Sequence, residues 1–190
     1  MQIINWENLK NLELGGKKTA LTIGVFDGLH RGHRALIAKI IEKSPMFLPT
    51  VVTFRENPKK PGNKREKTDD IIGFKEKMTL LEDYGIALSV IIDFSEDFSK
   101  MNGRDFLEAL NRYLSPAYIG LGEDFHCGYR KDTDAKTFKS LAESLGIEAE
   151  IIPPVMEGGL PVSSSRIRSA LKQGRSEEAA LLMGRPISSQ

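Results

Sequence analysis

Short apolar runs rich in β-branched residues alternate with segments whose apolar residues recur at helical spacing. This alternation sets the fold class. The runs are Ala20–Val25 (ALTIGV), Pro49–Phe54 (PTVVTF), Ala87–Phe94 (ALSVIIDF), Ala117–Leu121 (AYIGL) and Glu148–Pro153 (EAEIIP). Between them, Gly32–Ser44 places Leu36, Ile37, Ile40 and Ile41 on one side and is stopped by Pro45. Ile72–Tyr84 carries Phe74, Met78 and Leu81 and ends near Gly85. Gly103–Leu114 carries Phe106, Leu107, Leu110 and Leu114. Thr133–Leu145 carries Phe138, Leu141 and Leu145, with Gly146 as its cap. Ser165–Gln173 and Ser176–Met183 read as two short terminal helices. Strand–helix–strand repetition with near-continuous apolar strands predicts an α/β protein with a parallel sheet covered on both faces.

The 190 residues, 40% of them hydrophobic, supply one sizeable core, so a single domain over 1–190 is expected, with its core at about 18–186. There is no internal repeat or low-complexity tract. Lys and Arg number 27 against 26 Asp and Glu, a formal net charge of +1. That balance argues against binding nucleic acid through bulk electrostatics. The lone cysteine, Cys127, excludes an intrachain disulfide. Neither a signal-peptide pattern nor an apolar stretch of about 18 residues occurs. A cytoplasmic protein that engages no membrane is therefore expected, and none of these features specifies an oligomeric state. The one composition shift is Asn57–Asp70 (NPKKPGNKREKTDD). It reads either as a solvated loop or as a basic flap over a phosphate-bearing substrate.

Ligands on parallel sheets bind beyond the carboxyl ends of the strands. The first strand runs into Gly24-Val25-Phe26-Asp27-Gly28-Leu29-His30-Arg31-Gly32-His33 and so into the first helix. A helix N-terminus offers unpaired N–H groups and partial positive charge, which suit phosphate. Glycines let the backbone approach it closely. His30 and His33 are three apart, so both rings can share one face of the helix start and donate to phosphate oxygens. Metal ligation and ordinary surface placement remain alternative readings of the pair. The only other histidine is His126, and no H-E-x-x-H pattern occurs. No Walker A sequence is present, and Gly120-Leu121-Gly122 lacks the third glycine of the dinucleotide fingerprint.

A second constellation is Val162-Ser163-Ser164-Ser165-Arg166-Ile167-Arg168. One serine suffices as an N-cap. Three hydroxyls with two guanidinium groups suit a second phosphate-gripping helix start. Arg166 and Arg168 are two apart, so they point in different directions and one of them is expected to be structural. Asp124, in Gly120–Gly128 after the fourth strand, reads equally as a turn carboxylate or a site residue.

Together these segments resemble the nucleotidyltransferase superfamily, marked by H-x-G-H after the first strand and an S-S-x-x-x-R type signature near the end. Here these are His30-Arg31-Gly32-His33 and, within the serine–arginine run above, Ser163-Ser164-Ser165-Arg166-Ile167-Arg168. Within it the chain is most similar to the adenylyltransferase module of bacterial bifunctional riboflavin kinase/FAD synthetases. TIGVFDGLHRGH, VVTF with its Pro-containing loop, GEDFHCG, IIPPV, PVSSSRIRSAL and LLMGRP recur in that order across Ala20–Pro186.

The resemblance implies a Rossmann-like three-layer sandwich with a five- to six-stranded, mainly parallel sheet. It implies FMN adenylyltransferase activity, in which ATP with Mg²⁺ and FMN are used and FAD and pyrophosphate are formed. Carried over by position, His30, His33 and Arg168 would be catalytic. Gly24, Phe26, Asp27, Gly32, Ser164 and Arg168 would line the ATP site. Phe54, Asn57 and Asp124 would approach the flavin. A non-catalytic flavin- or nucleotide-binding protein, or a transferase with another phosphate-bearing acceptor, is the alternative expectation. Two departures fall on the flavin side: Arg55-Glu56-Asn57-Pro58 replaces a P-H-P-type loop, and Cys127 stands where the family commonly has an aromatic residue. The sequence runs only to Gln190 after the LLMGRP segment, so no riboflavin kinase domain is expected within it.

Overall fold

A computed structural model describes residues 1–57 and 70–186. The elements in chain order are β1 (Gln2–Asn5), a 3-10 turn (Trp6–Asn11), β2 (Thr19–Ile23), α1 (Arg31–Glu42), β3 (Leu48–Phe54), α2 (Phe74–Asp83), β4 (Leu88–Ile92), α3 (Glu96–Lys100) and α4 (Gly103–Leu114). They continue with β5 (Pro116–Gly122), β6 (His126–Cys127), β7 (Thr133–Asp134), α5 (Ala135–Ser144), β8 (Glu148–Ile152), β9 (Met156–Glu157), β10 (Leu160–Pro161), α6 (Ser164–Lys172) and α7 (Ser176–Met183). A second 3-10 turn, Tyr129–Lys131, links β6 and β7.

The central sheet has six strands in the order β1-β4-β3-β2-β5-β8. Every pairing within it is parallel. Two short antiparallel ribbons, β6–β7 and β9–β10, lie outside it. Neighbouring residues along each strand point to opposite faces, and each face has its own core. Ala20, Val51, Ile91 and Tyr118 pack with Ile37 and Ile40 of α1, Met78 and Leu81 of α2, and Ile167 and Leu182 of the last two helices. Leu21, Val52, Val90, Ile119 and Leu121 pack on the other side with Phe106, Leu107 and Leu110 of α4 and Phe138 of α5. Each buried Leu, Ile or Phe contributes roughly 1.5–3 kcal/mol, so these two layers hold the sandwich together.

The expected strands and helices are present, with bounds shifted by a few residues. Several short elements carried too little pattern to be read, β1 and α3 among them. β1 is a half-exposed edge strand of four residues, registered as Ile3 beside Ser89 and Ile4 beside Val90. α3 has five residues, capped by Ser95 through Phe98 N. Lys59, Lys60, Lys64, Arg65 and Lys67 of the basic stretch lie outside the described residues.

Candidate active site

The chain builds the sheet outward from β2 through β3 to β4, then returns to the other side of β2 with β5 and β8. The β2–β5 boundary is therefore the switch point in strand order, where a crevice opens beyond the strand ends. The loop after β2 fills that place. Its backbone is unusual, with Phe26 at φ 53°, Gly28 at 85° and Leu29 at 42°. Left-handed conformations at non-glycine residues cost about 1–3 kcal/mol each and persist only where packing over-determines them. Here Phe26 and Leu29 are both fully buried, which supplies that constraint.

His30 is the N-cap of α1, and its Nδ1 accepts from His33 N at 3.4 Å. A neutral His30 ring in this pose carries its proton on Nε2, facing away from the helix. The ring folds over Gly32, where a Cβ would stand 3.2 Å from His30 Cε1 and Nδ1. That close approach explains the glycine between the histidines. The two rings stack with centroids 3.6 Å apart and planes 19° apart. Phe26 meets His33 edge-on at 5.2 Å.

Both imidazoles are held neutral. Burial lowers the His30 pKa to about 4, with Asp124 opposing and Arg185 reinforcing the shift. Burial also holds His33 well below its ordinary value, aided by His30 and Lys77. His33 Nδ1 is buried with no hydrogen-bond partner. A neutral imidazole donates one N–H, and a nearby phosphate raises its basicity. The pair can thus donate hydrogen bonds to an anion and take up protons from solvent beside it.

The second constellation meets the first at Asp27. Arg168 Nη2 donates to Asp27 Oδ2 at 2.6 Å, Ser164 Oγ donates to Asp27 O at 2.8 Å, and Ile71 N donates to Asp27 Oδ1 at 2.8 Å. Ser163 caps α6 through Arg166 N. Arg166 is the structural member of its pair, bound to Glu157 O and Leu160 O and bridged to Glu178. Arg185, which residue patterns did not mark as a site residue, donates through Nη1 to Gly28 O at 2.8 Å and Leu29 O at 3.2 Å. Its place in the LLMGRP segment was the only signal.

The residues expected near the flavin divide around β2. Phe54, at the end of β3, packs near Phe94 and Phe98 with centroids 6.1 and 6.2 Å away. Asn57 lines a small recess with Val25, Asp27, Arg55, Asp70, Ile72, Phe74 and Lys77. Asp124 follows β5 on the opposite side, where its carbonyl faces His126 Nδ1 at 2.9 Å. Arg55 is engaged by Asp93 and Asn5 and lies over the Phe74 ring. Burial pushes the Cys127 thiol up to about 12, which leaves it an unreactive packing group. Among the described residues, no group of three or more His, Cys, Asp or Glu side chains is placed to hold a metal ion. These residues do not fit a protein-held metal cage. A magnesium ion here would be held chiefly by substrate phosphates.

A parallel sheet with a histidine-capped helix at its switch point and a second helix start folded onto the same loop gives the chain the Rossmann-like α/β architecture of a nucleotidyltransferase fold. Residues 14–166 match the model of the FAD synthetase family, and the chain belongs to that family. It is similar to proteins named bifunctional riboflavin kinase/FMN adenylyltransferase. That of Buchnera aphidicola subsp. Acyrthosiphon pisum is 28% identical, with 99% of this chain and 60% of the relative covered. That of Escherichia coli K12 is 28% identical, covering 88% and 54%. That of Bacillus subtilis is 30% identical, covering 89% and 54%. The chain thus spans about half to three fifths of the length of these curated relatives. A crystal structure described as a macrolide-efflux protein from Streptococcus pneumoniae matches with a TM-score of 0.85 at 27% identity, covering 98% of this chain and 61% of that one. Among the described residues, no helix is long and apolar enough to cross a membrane.

Proposed function

We propose that this chain is an FMN adenylyltransferase that transfers AMP from ATP to FMN, giving FAD and pyrophosphate. The observation that carries the reading is the stacked, neutral His30–His33 pair capping α1 beside the Asp27–Arg168 ion pair. Membership of the FAD synthetase family supplies the flavin as acceptor.

The chemistry suits these residues. The FMN phosphate oxygen is already anionic, so its attack needs no general base. It forms a bond to the α-phosphorus of ATP as the bond to the β-phosphate oxygen breaks, and pyrophosphate leaves with that electron pair. Catalysis reduces to aligning two anions and stabilising developing charge. His30 and His33 would donate to the phosphates, alongside the free N–H groups of the first turn of α1. Arg168 would grip the leaving phosphates, and Gly24, Phe26, Asp27, Gly32 and Ser164 would shape the nucleotide side. Phe54, Asn57 and Asp124 would meet the flavin. Magnesium bound to the triphosphate would supply further charge neutralisation.

We read the protein as cytoplasmic and its partners as these small molecules rather than nucleic acid. The near-neutral charge and the single, half-buried cysteine support this. The test is to incubate the purified chain with ATP, Mg²⁺ and FMN and to resolve flavins by HPLC. FAD is the expected product. Retained FMN binding without FAD would indicate a binding protein, and absence of FMN binding would indicate another acceptor.

A further inference from the structure

We propose that Lys77 is a positioning residue for adenylyl transfer, a clamp that fixes the nucleotide side of the crevice relative to the flavin side. The inference rests on the functional reading above.

Lys77 lies on the inward face of α2 between the two strand ends that frame the recess. It is only 6% exposed, beside Met78 at 6% and Leu81 at 0%. An ammonium group in such a place is costly unless oxygens surround it. Its Nζ donates to Phe54 O at 2.7 Å, to Val25 O at 3.3 Å and to Thr53 Oγ1 at 3.5 Å. Thr53 Oγ1 in turn donates to Val25 O at 3.1 Å. An ammonium group has three protons, and three protein oxygens take them. Lys77 therefore acts through the backbone it holds and not as a spare donor to substrate.

The two segments it joins have different duties. Val25 leads into Phe26 and Asp27 and so to the histidine-capped helix. Phe54 ends β3 and leads through Arg55 to Asn57. Packing alone does not call for a lysine here, since methionine would fill a similar volume on an apolar face without desolvating a charge. Burial lowers the Lys77 pKa to about 8 against the opposing charges of Asp27 and Asp70. The site thus tolerates an unfavourable charge in exchange for a tie between two loops. In-line transfer depends on that relation, because misplacing one reactant by about 1 Å can cost about 100-fold in rate.

The test compares FAD formation by the wild type, Lys77→Met, Lys77→Arg and Thr53→Val. Melting temperatures and equilibrium binding of FMN and of a non-hydrolysable ATP analogue are measured beside it. Lys77→Met should lower kcat by about 10- to 100-fold, with both KM values and both binding constants within about threefold of wild type. Lys77→Arg, which keeps the charge and several donors, should recover a large part of the loss. A Lys77→Met kcat within about twofold of wild type, or a loss carried by KM or by one binding constant, overturns the inference. Should Lys77→Met fail to fold, Thr53→Val decides. A fall in kcat of about 3- to 10-fold at constant KM supports the clamp, and unchanged kcat overturns it. A wild type that forms no FAD overturns the functional reading and this inference with it. An active wild type beside an equally active Lys77→Met overturns this inference alone.

Discussion

Asp27 and Arg168, 141 residues apart in sequence, form an ion pair at 2.6 Å that joins the loop after β2 to α6. The Asp27 side chain is 6% exposed and that of Arg168 is 25% exposed. The pair fastens the two motif-bearing segments to each other, so its guanidinium group would already be in place for the polyphosphate of the proposed reaction.

Removing Arg168 should therefore act in two separable ways. Arg168→Ala leaves a buried carboxylate with one less donor, at a cost of about 1–3 kcal/mol in stability. It also removes a cation from the proposed phosphate site, which should lower kcat by about 100- to 1000-fold. Adding Asp27→Asn to that background should restore much of the stability, measured by denaturant unfolding, without restoring turnover. Recovery of both together would show that Arg168 serves only the fold.

The histidine pair should show the opposite balance. His33 packs its ring on His30 and Phe26, yet its Nδ1 has no partner to lose. His33→Ala should lower kcat by about 100-fold while shifting the melting temperature by only a few degrees. Parallel losses of stability and activity would contradict the assignment of this ring to the phosphates.

Much of this arrangement was legible in the sequence, because its signals are local. β2, β3, β4 and β5 announce themselves as short, mostly apolar runs, since a strand buried on both faces carries few charged residues, and the edge strand β8 shows as the alternating run Glu148–Ile152. The histidine-capped helix is legible because cap, glycine and second ring fall within four residues, His30–His33. Lys77 and Arg185 were not legible as site residues. Position 77 falls on the same helix face as Phe74, Met78 and Leu81, but a lysine reads as solvated by its type, and only the fold shows its ammonium group meeting Phe54 O and Val25 O. Arg185 stands two residues after α7, and its partners Gly28 and Leu29 lie at the other end of the chain. β1 was missed for a related reason: an edge strand of four half-exposed residues has no pattern until β4 supplies its partner.

Stability should depend on pH through the same histidines. The folded-state pKa of His30 is lowered from 6.5 to about 4. Between those values the unfolded chain binds a proton that the folded chain does not, so stability rises with pH across the window. The contribution is complete above about pH 6.5 and is lost as pH falls through 4. At about 1.4 kcal/mol per unit, His30 alone withdraws roughly 3 kcal/mol over that range, and His33 acts in the same direction. Thermal melts from pH 7.5 to 4.5 should show the fall. His30→Asn, which keeps a good N-cap, should flatten it. An unchanged slope in that variant would assign the acid sensitivity to other groups.

Gly32 offers the cleanest separation of fold from function. It is the second residue of α1, where alanine is favoured over glycine by up to about 1 kcal/mol. Its backbone lies outside the left-handed region, so alanine meets no conformational penalty. The added Cβ would nevertheless stand 3.2 Å from two atoms of the His30 ring and 3.5 Å from Val162 O. The ring is the more movable neighbour, so it should yield by a few tenths of an ångström and disturb the 3.6 Å stack on His33. Gly32→Ala should therefore keep or raise the melting temperature while lowering kcat by about 10-fold or more, since small displacements of aligned donors are expensive in rate. A variant that is both more stable and fully active would show that the ring position set by this glycine is immaterial to the chemistry.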